Sequence, residues 1–217
     1  MKKQLALLTI LFTVIGTNAF AQGYVEFTTS KDYVYDGGGI VAPGNVTSTF
    51  LWALVGTSDP LGSGIPTDGT TYVASGWSTV SSMLSSGWTV AQNANSGNAE
   101  VDVADAASGN SEGAIDYNGG STFQLANTTA GDTYELVVVG WDNLGGATTL
   151  EEAMGDTHMG WSNPFDYATG ATAGSTLEQF NQSGMDPFGL IPLPEPATLT
   201  LAGLGGLSML LIRRRKS

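Results

Sequence analysis

The run from Thr133 to Trp141, Thr-Tyr-Glu-Leu-Val-Val-Val-Gly-Trp, constrains this chain more than any other segment. Its β-branched centre reads as a central, mostly buried strand. Turn residues Asn127 to Asp132 precede it, and Asp142-Asn143 with Gly145-Gly146 close it. A second apolar strand is expected over Phe50 to Val55, led in by Val46 to Thr49. Tyr24 to Thr28 alternates, with Val25 and Phe27 on one face, and Ser121 to Ala126 places Phe123 and Leu125 inward. Shorter strands are expected at Thr71 to Ala74, Trp88 to Ala91 and Ala99 to Val103.

Helical periodicity is scarce. Ser78 to Ser85 has room for one or two turns. Thr149 followed by Glu152 forms a capping-box pattern ahead of Gly155, which predicts a short helix. Another turn is expected at Ser175 to Phe180, and Asn93 to Gly120 reads as a long loop or hairpin. Short strands separated by turns, with very little helix, point to an all-β domain, an antiparallel β-sandwich or jelly-roll-like fold.

Both ends read as addresses rather than as parts of that fold. Lys2 and Lys3 precede the apolar stretch Leu5 to Ile15. Ala19-Phe20-Ala21 then supplies a small-x-small cleavage pattern before Gln22, so residues 1–21 form a signal helix removed at Ala21/Gln22. The competing reading, an uncleaved anchor, has an apolar core that is short for the purpose. At the other end, Pro194-Glu195-Pro196 precedes an uncharged run of 16 residues, Ala197 to Ile212, and then Arg213-Arg214-Arg215-Lys216. As a helix that run measures about 24 Å, a marginal span for a hydrocarbon core of about 30 Å. Snorkelling arginines make up the difference, and the cations favour the cytoplasmic side. A buried C-terminal helix of the domain is the alternative, but it would need neither apolar residues all round nor four terminal cations. The chain thus divides into residues 1–21, a β-sandwich-like exported domain at 22–190, and a sorting tail at 191–217 with a single transmembrane-type helix.

The tail resembles the PEP-CTERM sorting signal of Gram-negative exported proteins, on its Pro-Glu-Pro-Ala-Thr-Leu opening, its apolar helix and its arginine cluster. The resemblance implies processing by exosortase, a membrane protease-transferase. Pro194, Glu195 and Pro196 then serve as the recognition motif and Arg213 to Arg215 as the stop. It also implies passage through the export machinery, a precursor anchored in the inner membrane, and delivery to the cell surface or extracellular matrix. The body carries a second likeness. Tyr134 to Asp142, Leu150-Glu151-Glu152-Ala153 and Gly160-Trp161-Ser162-Asn163-Pro164-Phe165 resemble the closing module of uncharacterised Verrucomicrobia-type members of the same family. Gly140 stands where alanine is usual, and Pro164 interrupts the final pair. That likeness implies a common β architecture and no activity.

Composition narrows the partners. With both addresses removed, Lys31 is the one cation left against 19 carboxylates, a net charge of −18. Such a body repels nucleic acid and anionic lipid. The chain has no cysteine, which removes disulfides, thiol catalysis and thiolate metal sites together.

The sequence singles out no catalytic constellation. His158 is the sole histidine; Asp156 and Glu152 are near it in sequence, but no second histidine or Gly-x-Ser-x-Gly motif accompanies it. Asp102, Asp105, Glu112 and Asp116 offer hard oxygen ligands for Ca²⁺, although their spacing matches no calcium motif and a solvated acidic loop is the default reading. Trp77 and Trp88, beside Gly/Ser-rich turns, are the candidates for an exposed sugar-stacking face, while Trp52 and Trp141 are expected in the core. Three functions compete on these grounds. The first is a non-enzymatic surface or extracellular-matrix protein. The second is a carbohydrate-binding module for extracellular polysaccharide. The third is a carboxylate-based hydrolase.

Overall fold

The computed structural model describes residues 22–36, 39–40, 46–57, 76–98, 101–102, 113–143, 146–154 and 158–192. In chain order the strands begin with β1 (Tyr24–Val25), β2 (Val34–Asp36), β3 (Gly39–Ile40) and β4 (Val46–Leu54). After helix α1 (Gly76–Ser85) come β5 (Thr89–Val90), β6 (Gln92–Asn93), β7 (Gly97–Asn98), β8 (Val101–Asp102), β9 (Phe123–Gln124) and β10 (Thr133–Asp142). Helix α2 (Leu150–Ala153) precedes β11 (His158–Trp161), β12 (Phe165–Ala168) and β13 (Phe188–Pro192).

The spine is the antiparallel pair of β10 with β4, in unbroken register from Tyr134 opposite Leu54 to Asp142 opposite Val46. On its other edge β10 pairs first with β12 and then with β11. The register shifts by one between those two ladders, because Ser162, Asn163 and Pro164 face only Val137 and Val138. This is a β-bulge built around a proline that has no N–H to give the ladder. The sheet continues through β11 to β13 and then to β2 and β3, and β5 and β8 line the far edge of β4. Its ladders are antiparallel except for β13 on β2.

Both faces of this sheet are covered, which is why β10 reads as a continuous apolar run rather than an alternating one. On one face Phe50, Leu136 and Val138 meet a smaller β layer that supplies Val25, Phe27, Phe123 and Leu125. That layer consists of β1 on β9 and the β6–β7 hairpin, joined through the Asn93–Leu125 bridge. Phe180 is the hub of this core, with its ring 5.1–5.3 Å from those of Phe27, Phe50, Phe165 and Tyr167. On the other face Leu51, Val137, Val139, Trp141 and Trp161 pack with Val80 and Met83 of α1 and with Leu150 and Ala153 of α2. The expected sandwich is therefore lopsided, with β on one side of the main sheet and short helices on the other.

A pair of glycines shapes the centre. Gly140 and Gly160 lie opposite each other across β10 and β11. A Cβ at Gly140 would sit 3.2 Å from the Phe188 ring, and one at Gly160 would fall on the Gly189 carbonyl oxygen. Phe188, fully buried, fills the room these two residues leave. The absence of a side chain at position 140 thus has a direct cause in this chain.

The structure departs from expectation at several boundaries. Ile191 and Pro192, assigned to the tail, are the last residues of β13 and pair with Met159 and His158. β13 pairs only with the distant strands β11 and β2, so it carried no local signal. Ser175 to Phe180 forms no helical turn; Gln179 bridges Glu26 instead, and the turn follows from Phe180 onward. Thr71 to Ala74, the N-terminal signal helix and the C-terminal helix lie outside the described residues. Among the described residues no helix is long and apolar enough to cross a membrane.

Candidate functional site at the junction of sheet and sorting tail

The first and last described segments are both held by paired backbone. Directly after Gln22, the expected first residue of the mature chain, Gly23 is buried. Its N–H donates to Thr128 Oγ1 at 3.1 Å, and its carbonyl accepts from the Leu125 N–H at 2.8 Å. A side chain there would strike Thr169 Cβ at 2.5 Å. At the other end Pro192 is held opposite His158 in the β11–β13 ladder.

His158 is partly exposed, and its Nδ1 lies 3.8 Å from Asp142 Oδ2 at the end of β10. Glu152 completes the capping box of α2: its Oε2 accepts from the N–H groups of Thr148 and Thr149, while its own N–H donates to Thr149 Oγ1. Those hydrogen bonds, first among them that of the Thr148 backbone, hold the Glu152 carboxyl below its ordinary value. Asp156 lies outside the described residues. Among the described residues the junction thus gathers His158, Asp142 and the strand end on which the sorting motif begins.

The other candidates do not converge. Asp105 and Glu112 lie outside the described residues, as does the side chain of Asp102, whose backbone in β8 pairs with Thr47. Asp116 is exposed, and its Oδ1 accepts the Gly120 N–H at 2.7 Å to close a turn. Among the described residues no three His, Asp or Glu side chains are grouped to hold a metal ion.

Trp88 corrects the expectation of exposure. It is 2 % exposed and belongs to the helix-side core, because Gly87 with φ +102° turns the chain so that the indole folds under α1. Trp77 lies in α1, with its side chain outside the described residues. Trp141 is buried as expected, with Nε1–H donating to the Ala147 carbonyl at 3.0 Å. Trp52, expected in the core, is half-buried and stands edge-on to Tyr134 at 5.3 Å. A cleft of about 460 Å³ opens between the end of α1 and α2, lined by Leu84, Val90, Leu150 and Met154. Among the described residues, Glu151 is the carboxylate on its wall.

The PEP-CTERM protein-sorting motif matches residues 192–216, so it starts on the last residue of β13. The chain carries a PEP-CTERM protein-sorting motif. No curated protein and no solved structure matches it. The motif marks this PEP-CTERM protein as exported, made as a membrane-anchored precursor and targeted to exosortase for sorting to the cell surface. The expected sorting residues Pro194, Glu195, Pro196 and Arg213 to Arg215 fall within the matched span, outside the described residues. The expected cleavage residues Ala19 and Ala21 also lie outside them.

Proposed function

We propose that the mature body of this PEP-CTERM protein is a non-enzymatic surface or extracellular-matrix component of a Gram-negative-type bacterium. In this reading it is exported by a cleaved signal peptide and released from its membrane anchor near Pro194-Glu195-Pro196. The observation that carries the reading is the fusion of the sorting motif to a paired strand of the main sheet. The signal is attached to a folded body, three of whose described carboxylates serve local structure: Glu152 caps a helix, Asp116 closes a turn, and Asp142 flanks His158. A net charge of −18 keeps such a body soluble and apart from anionic surfaces.

Mass spectrometry of surface material tests the processing. The expected mature chain starts at Gln22 and yields no peptide beyond the Pro-Glu-Pro region. A strain lacking exosortase should hold the chain in the membrane with its tail intact. Peptides reaching Arg215 from surface material of the parent strain would overturn the proposal.

A carbohydrate-binding role loses half of its sequence basis with the burial of Trp88. Trp77, whose side chain lies outside the described residues, is the remaining candidate for that role, since Trp52 packs partly buried against Tyr134.

A further inference from the structure

We infer that in the anchored precursor the sheet end bearing Asp142, His158 and Pro192 faces the bilayer, and the end bearing Thr133 and Leu54 points away from it. The inference rests on the membrane-anchored precursor and adds the orientation of the body upon it. Strand directions set which end is which. β11 runs antiparallel to both β10 and β13, so β10 and β13 run the same way and finish together. Pro192 at the end of β13 therefore lies at the same end of the sheet as Asp142, and Val46 opposite Asp142 opens β4 there.

The tether is short. From Pro192 to Ala197, where the uncharged run begins, the chain advances five residues. Even fully extended these reach no more than about 18 Å. The opposite end of the sheet is further off by the length of β10, about 30 Å from Thr133 to Asp142. A tether shorter than the sheet keeps the Asp142 end at the membrane. The negative charge of the body opposes its lying flat on anionic lipid.

This orientation also separates the exposed apolar tip from the membrane. Leu54 and Val55, 67 % and 54 % exposed, sit at the start of the β4–α1 connection, at the Thr133 end. They are displayed away from the anchor's own bilayer.

The absence of native cysteine makes the test direct. Single variants Thr148→Cys and Thr133→Cys of the full-length precursor carry an environment-sensitive fluorophore and are reconstituted into phosphatidylcholine vesicles with nitroxide-labelled headgroups. Thr148 is exposed and adjoins Ala147, whose carbonyl is bound by Trp141 one residue from the end of β10. With the two positions separated by roughly the length of β10, quenching at residue 148 should exceed that at residue 133 by about twofold or more. Equal quenching, or stronger quenching at residue 133, in vesicle-bound protein overturns the orientation. A full-length chain that fails to float with the vesicles removes the anchor itself, and this inference falls with it.

Discussion

Val138 and Ser162 exchange two hydrogen bonds across the break between β11 and β12. The Val138 carbonyl accepts the Ser162 N–H at 2.9 Å, and the Val138 N–H donates to Ser162 Oγ at 3.0 Å. The hydroxyl in turn donates to the Asn163 carbonyl at 2.9 Å. A side chain thus stands in for the backbone acceptor that the bulge at Asn163-Pro164 takes out of the ladder. Both residues are fully buried, so water cannot substitute. Ser162→Ala should cost about 1–3 kcal/mol, the penalty of an unmet buried donor. Exposed Ser85, whose hydroxyl donates to the Ser81 carbonyl, serves as the control, and Ser85→Ala should stay within about 0.5 kcal/mol of the parent. Urea unfolding of the domain reads both.

The two central glycines should differ in what they tolerate. At Gly160 a methyl group meets backbone, the Gly189 carbonyl, which cannot swing aside without opening the β11–β13 ladder. At Gly140 it meets side chains alone, the edge of the Phe188 ring and, less closely, Leu190. Gly140→Ala should therefore cost about 1–2 kcal/mol, and Gly160→Ala about 3 kcal/mol or more. Phe188→Leu combined with Gly140→Ala should cost less than the two changes summed, since they compete for one space. Thermal unfolding of the four variants is the measurement; strict additivity would contradict the packing described.

Tyr167 makes the body sensitive to alkali. Its hydroxyl accepts the Glu26 N–H at 3.0 Å and donates to the Glu178 carbonyl at 2.8 Å, which ties β12 to two loops. Burial pushes the phenol from 10.0 up to about 12. The folded state thus holds its proton where the unfolded chain releases it. The stabilisation is whole below pH 10 and disappears as the pH climbs from there to about 12. Its size is about 2–3 kcal/mol. Tyr167→Phe should lower stability at neutral pH and flatten the decline above pH 10. Denaturation midpoints across that range decide it, and identical alkaline slopes in both proteins would refute it.

Thr49 offers a change in the opposite direction. It is fully buried opposite Val139 in β4, and its hydroxyl finds no partner. Thr49→Val keeps the shape, removes the unmet polar atom and suits a strand. Stability should hold or rise by up to about 2 kcal/mol. A loss above about 1 kcal/mol in urea unfolding would show that the hydroxyl is satisfied.

What could be read from the chain was what neighbours in sequence decide. The β-branched density of Val137 to Val139 is a local fact, and it announced β10 almost to the residue. The Thr149–Glu152 spacing announced the capping box in the same way, and the alternation of Phe123 and Leu125 showed their inward face. The pairing of β13 with β2 joins residues more than 150 positions apart, and neither segment carries a pattern of its own. Phe180 was hidden for a related reason. It stands among Glu178, Gln179, Asn181 and Gln182, so its polar surroundings gave no sign that four aromatic rings converge on it. At Trp88 the glycine-rich turn was legible, but a turn sets backbone direction and says nothing of which way an indole will swing. The junction site required the β11–β13 register, which alone sets His158 against the first residue of the sorting motif.

β13 lies between β2 and β11, so the sheet cannot close until the chain has been delivered as far as Pro192. During export the body waits, with Val34 and its neighbours unpaired on that side, for a strand that arrives with the sorting signal itself. Completion of the fold and arrival of the signal are one event in the order of synthesis. A chain cut short before Phe188 loses both at once, so truncated bodies never compete with complete ones for delivery to the surface.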